Sequence, residues 1–295
     1  MKQSKSVSIL AHTVMIITSL LALLPFLLLL IASLTDNEWA TNNGFSYFPG
    51  KWSLDAYEYL FYQFSTIGKA YVMTILVTVI GTVLSVLITS LLAYGLSNST
   101  LPGIRVLNFL VIFTMLFNGG LVATYYSYTN IFHIKDTIWA LIIPGFLMSA
   151  FNIILIKNYF RTSIPESLTE AARIDGGSEF MIFFKIVFPL SKPILATIGL
   201  MTAIMYWNDW QNGLYYLTPR GGSQYYTIQV VLNNINENIN FLSTNAGGTA
   251  GAAGSMPSTT IRMAIALVAI LPILVAYPFF QKYFVKGITL GGVKE

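Results

Sequence analysis

The most densely charged stretch between two apolar segments reads Ser163-Ile-Pro-Glu-Ser-Leu-Thr-Glu170-Ala-Ala-Arg-Ile-Asp175-Gly-Gly-Ser-Glu-Phe-Met-Ile-Phe-Phe-Lys185-Ile-Val-Phe-Pro189. Ser163 and Glu166 have the spacing of a capping box and Pro165 suits a first helical turn, so a helix is predicted from here to the following pair of glycines. Ser178 can cap a second helix, which we expect to end where Pro189 interrupts the backbone hydrogen bonding. The stretch therefore predicts two short helices joined by a glycine hinge at a membrane surface.

The composition is that of a membrane protein. Of the 295 residues, 55% are hydrophobic and only 9% are charged, whereas about 25% of the residues of a typical soluble domain are charged. The sequence has no cysteine, which excludes disulfides and thiolate metal sites. The net charge of +4 is explained by membrane topology, and no nucleic acid partner is expected.

Apolar stretches long enough to cross a bilayer predict an all-α integral membrane protein with six transmembrane helices. The first apolar run is too long for a cleaved secretory signal, so we expect an uncleaved anchor. Within the core, span three is broken near Asn118, span four runs from about Thr137 to Ile156, and span six covers Met263 to Gln281. The predicted segments are an N-terminus (1–10), span one (11–33), an external segment (34–70), a core of spans two to six (71–285) that contains the 163–189 loop and an external loop (208–259), and a tail (286–295).

The distribution of lysine and arginine gives an orientation. If both termini and the 163–189 loop share one side, that side holds eleven of the 16 lysines and arginines and the other side holds five. Cytoplasmic loops carry the excess of positive charge. We therefore expect both termini and the 163–189 loop to be cytoplasmic.

The spacing within the 163–189 loop resembles that of a known family. Glu170-Ala171-Ala172, then three residues, Gly176, nine residues, Ile186, one residue, a large apolar residue and Pro189 resembles the EAA loop of bacterial ABC-importer permeases. Phe188 stands where the motif usually has leucine. Further stretches resemble the carbohydrate-uptake branch, which includes maltose-transporter-like and oligosaccharide or polysaccharide-fragment permeases: Phe117–Leu121, Asp136–Ala140, Pro189–Pro193, Trp207-Asn208 and the tail from Gln281.

This resemblance implies the type I ABC importer permease fold in a bacterial inner membrane, with span one as an addition to the shared core. It also implies that the loop is a coupling helix docking into a separate ATPase. No Gly-x-x-x-x-Gly-Lys-Ser/Thr motif is found in the sequence, so ATP and Mg are expected in partner subunits, and this chain is expected to be neither an enzyme nor a cofactor carrier. The expected partners are a sister permease in a heterodimer, two ATPase subunits, an extracytoplasmic solute-binding protein, membrane lipid and a carbohydrate. The residues expected to couple are Glu170, Ala171, Ala172, Asp175, Gly176, Ile186 and Pro189.

Sugar recognition needs aromatic faces beside hydrogen-bonding groups, and the end of span five offers both. The candidate substrate path comprises Asn118, Asn152, Tyr206, Trp207, Asn208 and Trp210. An aromatic belt at the membrane interface explains the same tryptophans and tyrosines equally well, and a glycine-permitted kink explains the break at Asn118.

Other function classes fit the sequence less well. Only the resemblance to the carbohydrate-uptake branch argues against an ABC permease for a non-sugar solute. An ion-coupled secondary transporter would show charged or broken helices near the midplane and an internal repeat, and neither is clear. A membrane enzyme would need a catalytic or metal cluster, but His12 and His133 lie in separate regions.

Overall fold

The computed structural model describes residues 5–98, 101–245 and 259–275, and these residues are mostly helical. They form two compact units, one from 5–68, 232–245 and 259–275 and the other from 69–231. The helices are α1 (Lys5–Ser33), α2 (Asn37–Asn43), α3 (Asp55–Tyr62), α4 (Phe64–Ser97), α5 (Ile104–Leu116), α6 (Gly120–Tyr126), α7 (Trp139–Ile142), α8 (Ala150–Ser163), α9 (Glu166–Ile174), α10 (Glu179–Ile182), α11 (Phe188–Leu190), α12 (Lys192–Asn208), α13 (Gln211–Tyr216), α14 (Ile228–Asn245) and α15 (Thr259–Val275).

The membrane spans are only partly continuous helices. Val7–Ser33 and Phe64–Ser97 are each long and apolar enough to cross a bilayer. Two further candidates are bent pairs: α5 with Gly120–Ile131, bent by 118°, and Glu179–Leu190 with α12, bent by 81°. The all-helical class of the described residues agrees with the sequence prediction, while the count of six spans stays a prediction. Of predicted span six, residues 276–281 lie outside the described residues.

The stretch predicted as span four is divided. α7 ends at Ile142 and α8 begins at Ala150, and residues 143–149 between them are not helical. Pro144 has no N–H to continue a helix, and Gly145 takes the left-handed φ of +79°. This segment, called the broken segment below, is the main departure from the predicted spans.

The segment predicted as external, 34–70, contains its own helices. Asp36 caps α2 by accepting a hydrogen bond of 3.0 Å from the backbone N–H of Trp39, and its carboxylate lies 2.9 Å from the Lys51 ammonium. The side chain of Asn37 accepts a hydrogen bond of 3.1 Å from the backbone of Thr259. Side chains within one unit therefore fix the path of this segment.

The 69–231 unit has two hydrophobic clusters. One includes Leu96, Phe160 and Phe183 and lies under the 163–189 loop. The other includes Val77 and Tyr206 and joins α4, α7, α12 and α13. The 163–189 loop and the end of α12, which hold most of the candidate residues, are thus positioned by different hydrophobic clusters of this unit.

Candidate functional site

The start of the 163–189 loop differs from the predicted capping box. Ser163 is the last residue of α8, Pro165 occupies the N-cap position of α9, and no side chain caps that end. Ile164 is extended, as expected for a residue that precedes proline. The capping-box prediction was therefore wrong, because the proline forces an extended residue between the two helices.

The glycine hinge was correctly predicted. Gly176 has φ +81° and donates its N–H to the carbonyl of Arg173 at 3.0 Å, while Gly177 donates to the carbonyl of Ala172 at 2.9 Å. These two bonds are those of a Schellman motif, which needs a left-handed residue just past the helix end. A side chain at Gly177 would meet the Ala172 carbonyl at 2.7 Å, so both glycines are required.

The second part of the loop continues further than predicted. The Ser178 hydroxyl caps α10 by accepting a hydrogen bond of 3.3 Å from the backbone of Met181, as predicted. A wide π-helical turn follows at Phe183–Val187, closed by a bond from the N–H of Phe188 to the carbonyl of Phe183. Pro189 sits in the first turn of α11, where its missing N–H costs nothing. The chain bends instead at buried Ser191, whose hydroxyl donates to the Val187 carbonyl at 2.7 Å.

None of the residues of α9 is buried. Glu170 and Ala171 are exposed, whereas Ala172 is partly buried and packs against the cluster beneath the loop. Asp175, Gly176 and Pro189 are exposed and Ile186 is partly buried in the same cluster. The structure thus leaves five of the seven predicted coupling residues exposed, and Glu170, Ala171, Asp175 and Gly176 lie on α9 or directly after it.

A charged side chain links this surface to α4. The Glu179 carboxylate lies 2.7 Å from Nε of Arg173 and accepts a hydrogen bond of 2.6 Å from the Tyr94 hydroxyl. These hydrogen bonds, the one from Arg173 first, hold the pKa of the Glu179 carboxyl below its usual value. Glu179 therefore stays ionised at neutral pH.

A polar cleft of about 520 Å³ adjoins this link. It lies between α9 and the ends of α4 and α8, and its lining includes Ser97, Arg161 and Thr169 as well as the linked side chains. α9 is therefore separated from part of the helix bundle by open space.

The candidate substrate-path residues do not form one group. Tyr206 is 1% exposed and Asn152 is 6% exposed. Trp207 is half-buried, with its ring centroid 6.4 Å from that of Tyr71, and Asn208 and Trp210 are exposed at the end of α12. Asn118 is exposed at the bend between α5 and α6, where its side chain accepts a hydrogen bond of 2.8 Å from the backbone of Gly120.

Tyr206 belongs to a set of donors that satisfy the broken segment. Its hydroxyl donates to the carbonyl of Ile142 at 2.8 Å, and its ring lies so close to Gly81 that a Cβ there would approach the ring to 2.5 Å. Asn212 donates from its side-chain amide to the carbonyl of Pro144 at 3.1 Å, and Ser85 donates to that of Phe146 at 3.1 Å. Irregular backbone at membrane depth is tolerated where protein groups satisfy it.

Sequence analysis gave no structural role to Ser85, Asn212 or Asp136. The carboxylate of Asp136 accepts hydrogen bonds from the backbone and the hydroxyl of Thr218, the latter at 2.9 Å. Side chains at Gly221 or Gly222 would collide with this carboxylate. The Pro144-Gly145 pair was the one local signal of a break in the helix. It gave no indication of which distant side chains donate hydrogen bonds to the carbonyls there.

Comparisons with known proteins agree on the kind of molecule. Residues 90–290 match the family model described as "Binding-protein-dependent transport system inner membrane component". The chain is 43% identical over 279 residues to the polygalacturonan/rhamnogalacturonan transport system permease protein YtcP of Bacillus subtilis (strain 168), covering 94% of each chain. It is 37% identical over 274 residues to Protein LplC of the same strain, covering 93% of this chain and 90% of LplC. A crystal structure of a bacterial ABC transporter involved in the import of the acidic polysaccharide alginate includes a chain with a TM-score of 0.77 and 32% identity, covering 96% of this chain and 99% of that one.

Proposed function

Because the chain belongs to the family of binding-protein-dependent transport system inner membrane components, we propose that it is the permease subunit through which an ABC importer carries an oligosaccharide or polysaccharide fragment. The observation that carries this proposal is the extensive similarity to the YtcP permease, whose name gives polygalacturonan and rhamnogalacturonan as the transported polymers. The transporter that contains the matching solved chain imports alginate, also an acidic polysaccharide. Fragments of acidic polysaccharides are therefore the first substrates to test.

The proposed energy source is a separate ATPase that binds ATP and Mg and docks on α9. An amphipathic helix that buries none of its residues within its own chain has an apolar stripe that another surface can cover. The complete importer would contain a sister permease, two ATPase subunits and an extracytoplasmic solute-binding protein. This chain would contribute part of the membrane pathway and one docking surface.

The proposed orientation places the 163–189 loop and both termini in the cytoplasm. The chain has no cysteine, so a single cysteine at Ser178 should be labelled by an impermeant reagent only from the cytoplasmic side. A cysteine at Gly248, in the external loop of the sequence analysis, should be labelled only from outside. Labelling of both from one face would contradict this arrangement.

The proposed sugar contacts lie at the end of α12. Trp207 is half-buried and Asn208 and Trp210 are exposed, which leaves an aromatic face and an amide beside one another for a pyranose ring and its hydroxyls. Tyr206 is buried with its hydroxyl bonded to the carbonyl of Ile142 at the end of α7, so its role in the path would be to hold the end of α12, and with it the neighbouring Trp207, in place. Asn118 and Asn152 are secondary candidates for lining the path.

The test is uptake by the complete importer in lipid vesicles. Vesicles that enclose ATP and in which the ATPase subunits face the interior should accumulate oligogalacturonides. Replacing ATP by a non-hydrolysable analogue should abolish this uptake. Neutral oligosaccharides of the same length serve as the matched comparison for charge, and an amino acid serves as the comparison for a non-sugar solute. Uptake of the amino acid without uptake of either saccharide would contradict the proposal.

A further inference from the structure

Glu179 connects α9, which lies in the 163–189 loop, with α4, which is a candidate span. One carboxylate oxygen lies 2.7 Å from Nε of Arg173 on α9, and the other accepts a hydrogen bond of 2.6 Å from the hydroxyl of Tyr94 near the end of α4. The Arg173 contact spans six residues and closes the turn between α9 and α10, whereas the Tyr94 contact spans 85 residues. A single side chain therefore links α9 to a helix that is distant in sequence.

Both ends of this link are held in place. The Tyr94 ring lies 5.4 Å from the ring of Phe183 and 6.5 Å from that of Phe160, measured between centroids. Both phenylalanines are buried, and aromatic rings packed in this way restrict one another's orientation. On the other side, the Ser178 cap fixes the first turn of α10, which carries Glu179. The carboxylate thus meets a stationary donor.

The link is too exposed to matter mainly for stability. The side chains of Arg173 and Glu179 are 37% and 53% exposed, and exposed ion pairs contribute little to the free energy of folding. α9 buries none of its residues and borders the open polar cleft, so space is available for it to tilt. What the link can fix is the direction of α9 relative to α4.

α9 is also joined to the bundle by its own backbone and by Ala172, which packs against the cluster beneath the loop. α10, the wide turn and α11 lead directly into α12, so any displacement of α9 reaches α12 through the main chain. α4 is a separate span, packed against α12 where Gly199 faces Val86 and where Gly81 faces the Tyr206 ring. A displacement delivered to both helices moves them together, whereas one delivered to α12 alone shears this contact.

We propose that Glu179 is a positioning residue that, held between Arg173 and Tyr94, transmits the movement of the docked α9 to α4 as well as to α12. This inference rests on the proposed function, since it requires an ATPase docked on α9. Without the link, the ATPase would still bind and hydrolyse ATP, but part of the resulting movement would be taken up by tilting of α9 over the cleft.

The first measurement needs no transported substrate. Spin labels on Thr169→Cys and Ser97→Cys, two residues on opposite walls of the cleft, report the distance between α9 and α4 in the assembled complex by dipolar broadening. We expect one narrow distribution in the otherwise unchanged protein and a broader one after Glu179→Gln or Tyr94→Phe. Glu166→Gln is the matched control, because it removes a different carboxylate that lines the same cleft. Equal distributions in all four proteins would overturn the proposal.

The second measurement is the number of ATP molecules hydrolysed per saccharide transported. Glu179→Gln should raise this ratio about two- to fivefold, the range set by an exposed charged contact, while the amounts of folded protein and of co-purified ATPase stay unchanged. Tyr94→Phe should act in the same direction, and the double variant should be no worse than Glu179→Gln alone, because both remove one link. Additive effects, or a loss of folded protein in place of a changed ratio, would contradict a transmitting role. Failure of the unmodified complex to transport saccharides would instead contradict the proposed function and would leave the spin-label test to decide this one.

Discussion

The broken segment departs from the predicted spans whereas α9 is a predicted helix, and the two regions differ in what contacts them. Three carbonyls in or next to the broken segment accept hydrogen bonds from side chains more than sixty residues away, those of Tyr206, Asn212 and Ser85. α9 buries none of its residues and leaves Glu170 and Ala171 exposed. A region satisfied within its own chain determines whether the protein folds, whereas an uncovered amphipathic helix determines what the folded protein can bind.

The largest expected effect tests the packing around Tyr206, one of the donors next to the broken segment. A methyl group at Gly81 would lie within 2.5–2.8 Å of three atoms of the Tyr206 ring, so Gly81→Ala should destabilise the protein by about 3 kcal/mol, the upper part of the range for overpacking. The measurement is thermal unfolding of purified protein together with its yield in membranes. Gly95→Ala on the same helix is the control, because nothing lies within 4 Å of the added methyl there. Similar unfolding temperatures for both variants would show that this contact is not tight.

A smaller loss is expected when one donor is removed without changing shape. Tyr206→Phe keeps the ring but leaves the Ile142 carbonyl without the hydroxyl that now donates to it at 2.8 Å. An unsatisfied buried acceptor costs about 2 kcal/mol, again measured by thermal unfolding. Tyr126→Phe is the matched control, since its ring is 60% exposed. If both variants unfold alike, the broken segment does not depend on this donor.

The second half of the comparison is tested at Gly176. Gly176→Val forces a β-branched residue to φ +81°, which costs about 1–2 kcal/mol and is relieved if the end of α9 changes direction. We expect normal insertion but weaker association with the ATPase, measured by co-purification and by uptake per inserted protein. Gly103→Val introduces a comparable strain at φ +77° just before α5, again with nothing within 4 Å of the added Cβ, and should leave the association unchanged. Equal association in the two variants would remove Gly176 from the docking surface.

The smallest expected effect tests whether Trp207 binds a ligand or only contributes to the folded protein. If Trp207 contacts sugar, Trp207→Ala should reduce uptake per assembled complex by an amount equivalent to about 1 kcal/mol, and the reduction should depend on the saccharide. If the ring serves only as part of a membrane belt, the amount of folded protein should fall while uptake per complex stays equal for every saccharide. Uptake of two saccharides of different length, normalised to assembled complex, separates the two outcomes.

The sequence predicted what depends on neighbouring residues. The left-handed Gly176 and the Ser178 cap follow from residue types at fixed spacings, and both are present. The capping box at Ser163 failed for a reason that is also local, because Pro165 forces an extended residue before it. The spacing of Ser163 and Glu166 matches a capping box, but Ser163 is the last residue of α8 and Glu166 is the first residue of α9.

The broken segment could not be predicted in the same way. The helix is interrupted at Pro144 and Gly145. The hydrogen bonds that stabilise this interruption come from Ser85, Tyr206 and Asn212, which only the folded chain brings there. The link from Tyr94 to Glu179 is equally distant in sequence. Hydrogen bonds between such remote residues leave no periodicity or motif, so sequence analysis assigned Tyr206 to the substrate path and did not single out Glu179.

The wide turn at Phe183–Val187 closes with a hydrogen bond between Phe188 and Phe183, so it contains one residue more than an α-helical turn. Each residue of an α-helix advances the chain by about 100° around the axis. Deleting one residue from this turn would therefore rotate α9 by about 100° around the axis of the Glu179–Leu190 segment without altering any side chain of α9. The direction of the proposed docking surface is thus set by a count of residues, and a single-codon deletion in this turn would misdirect it even if every residue of α9 were kept.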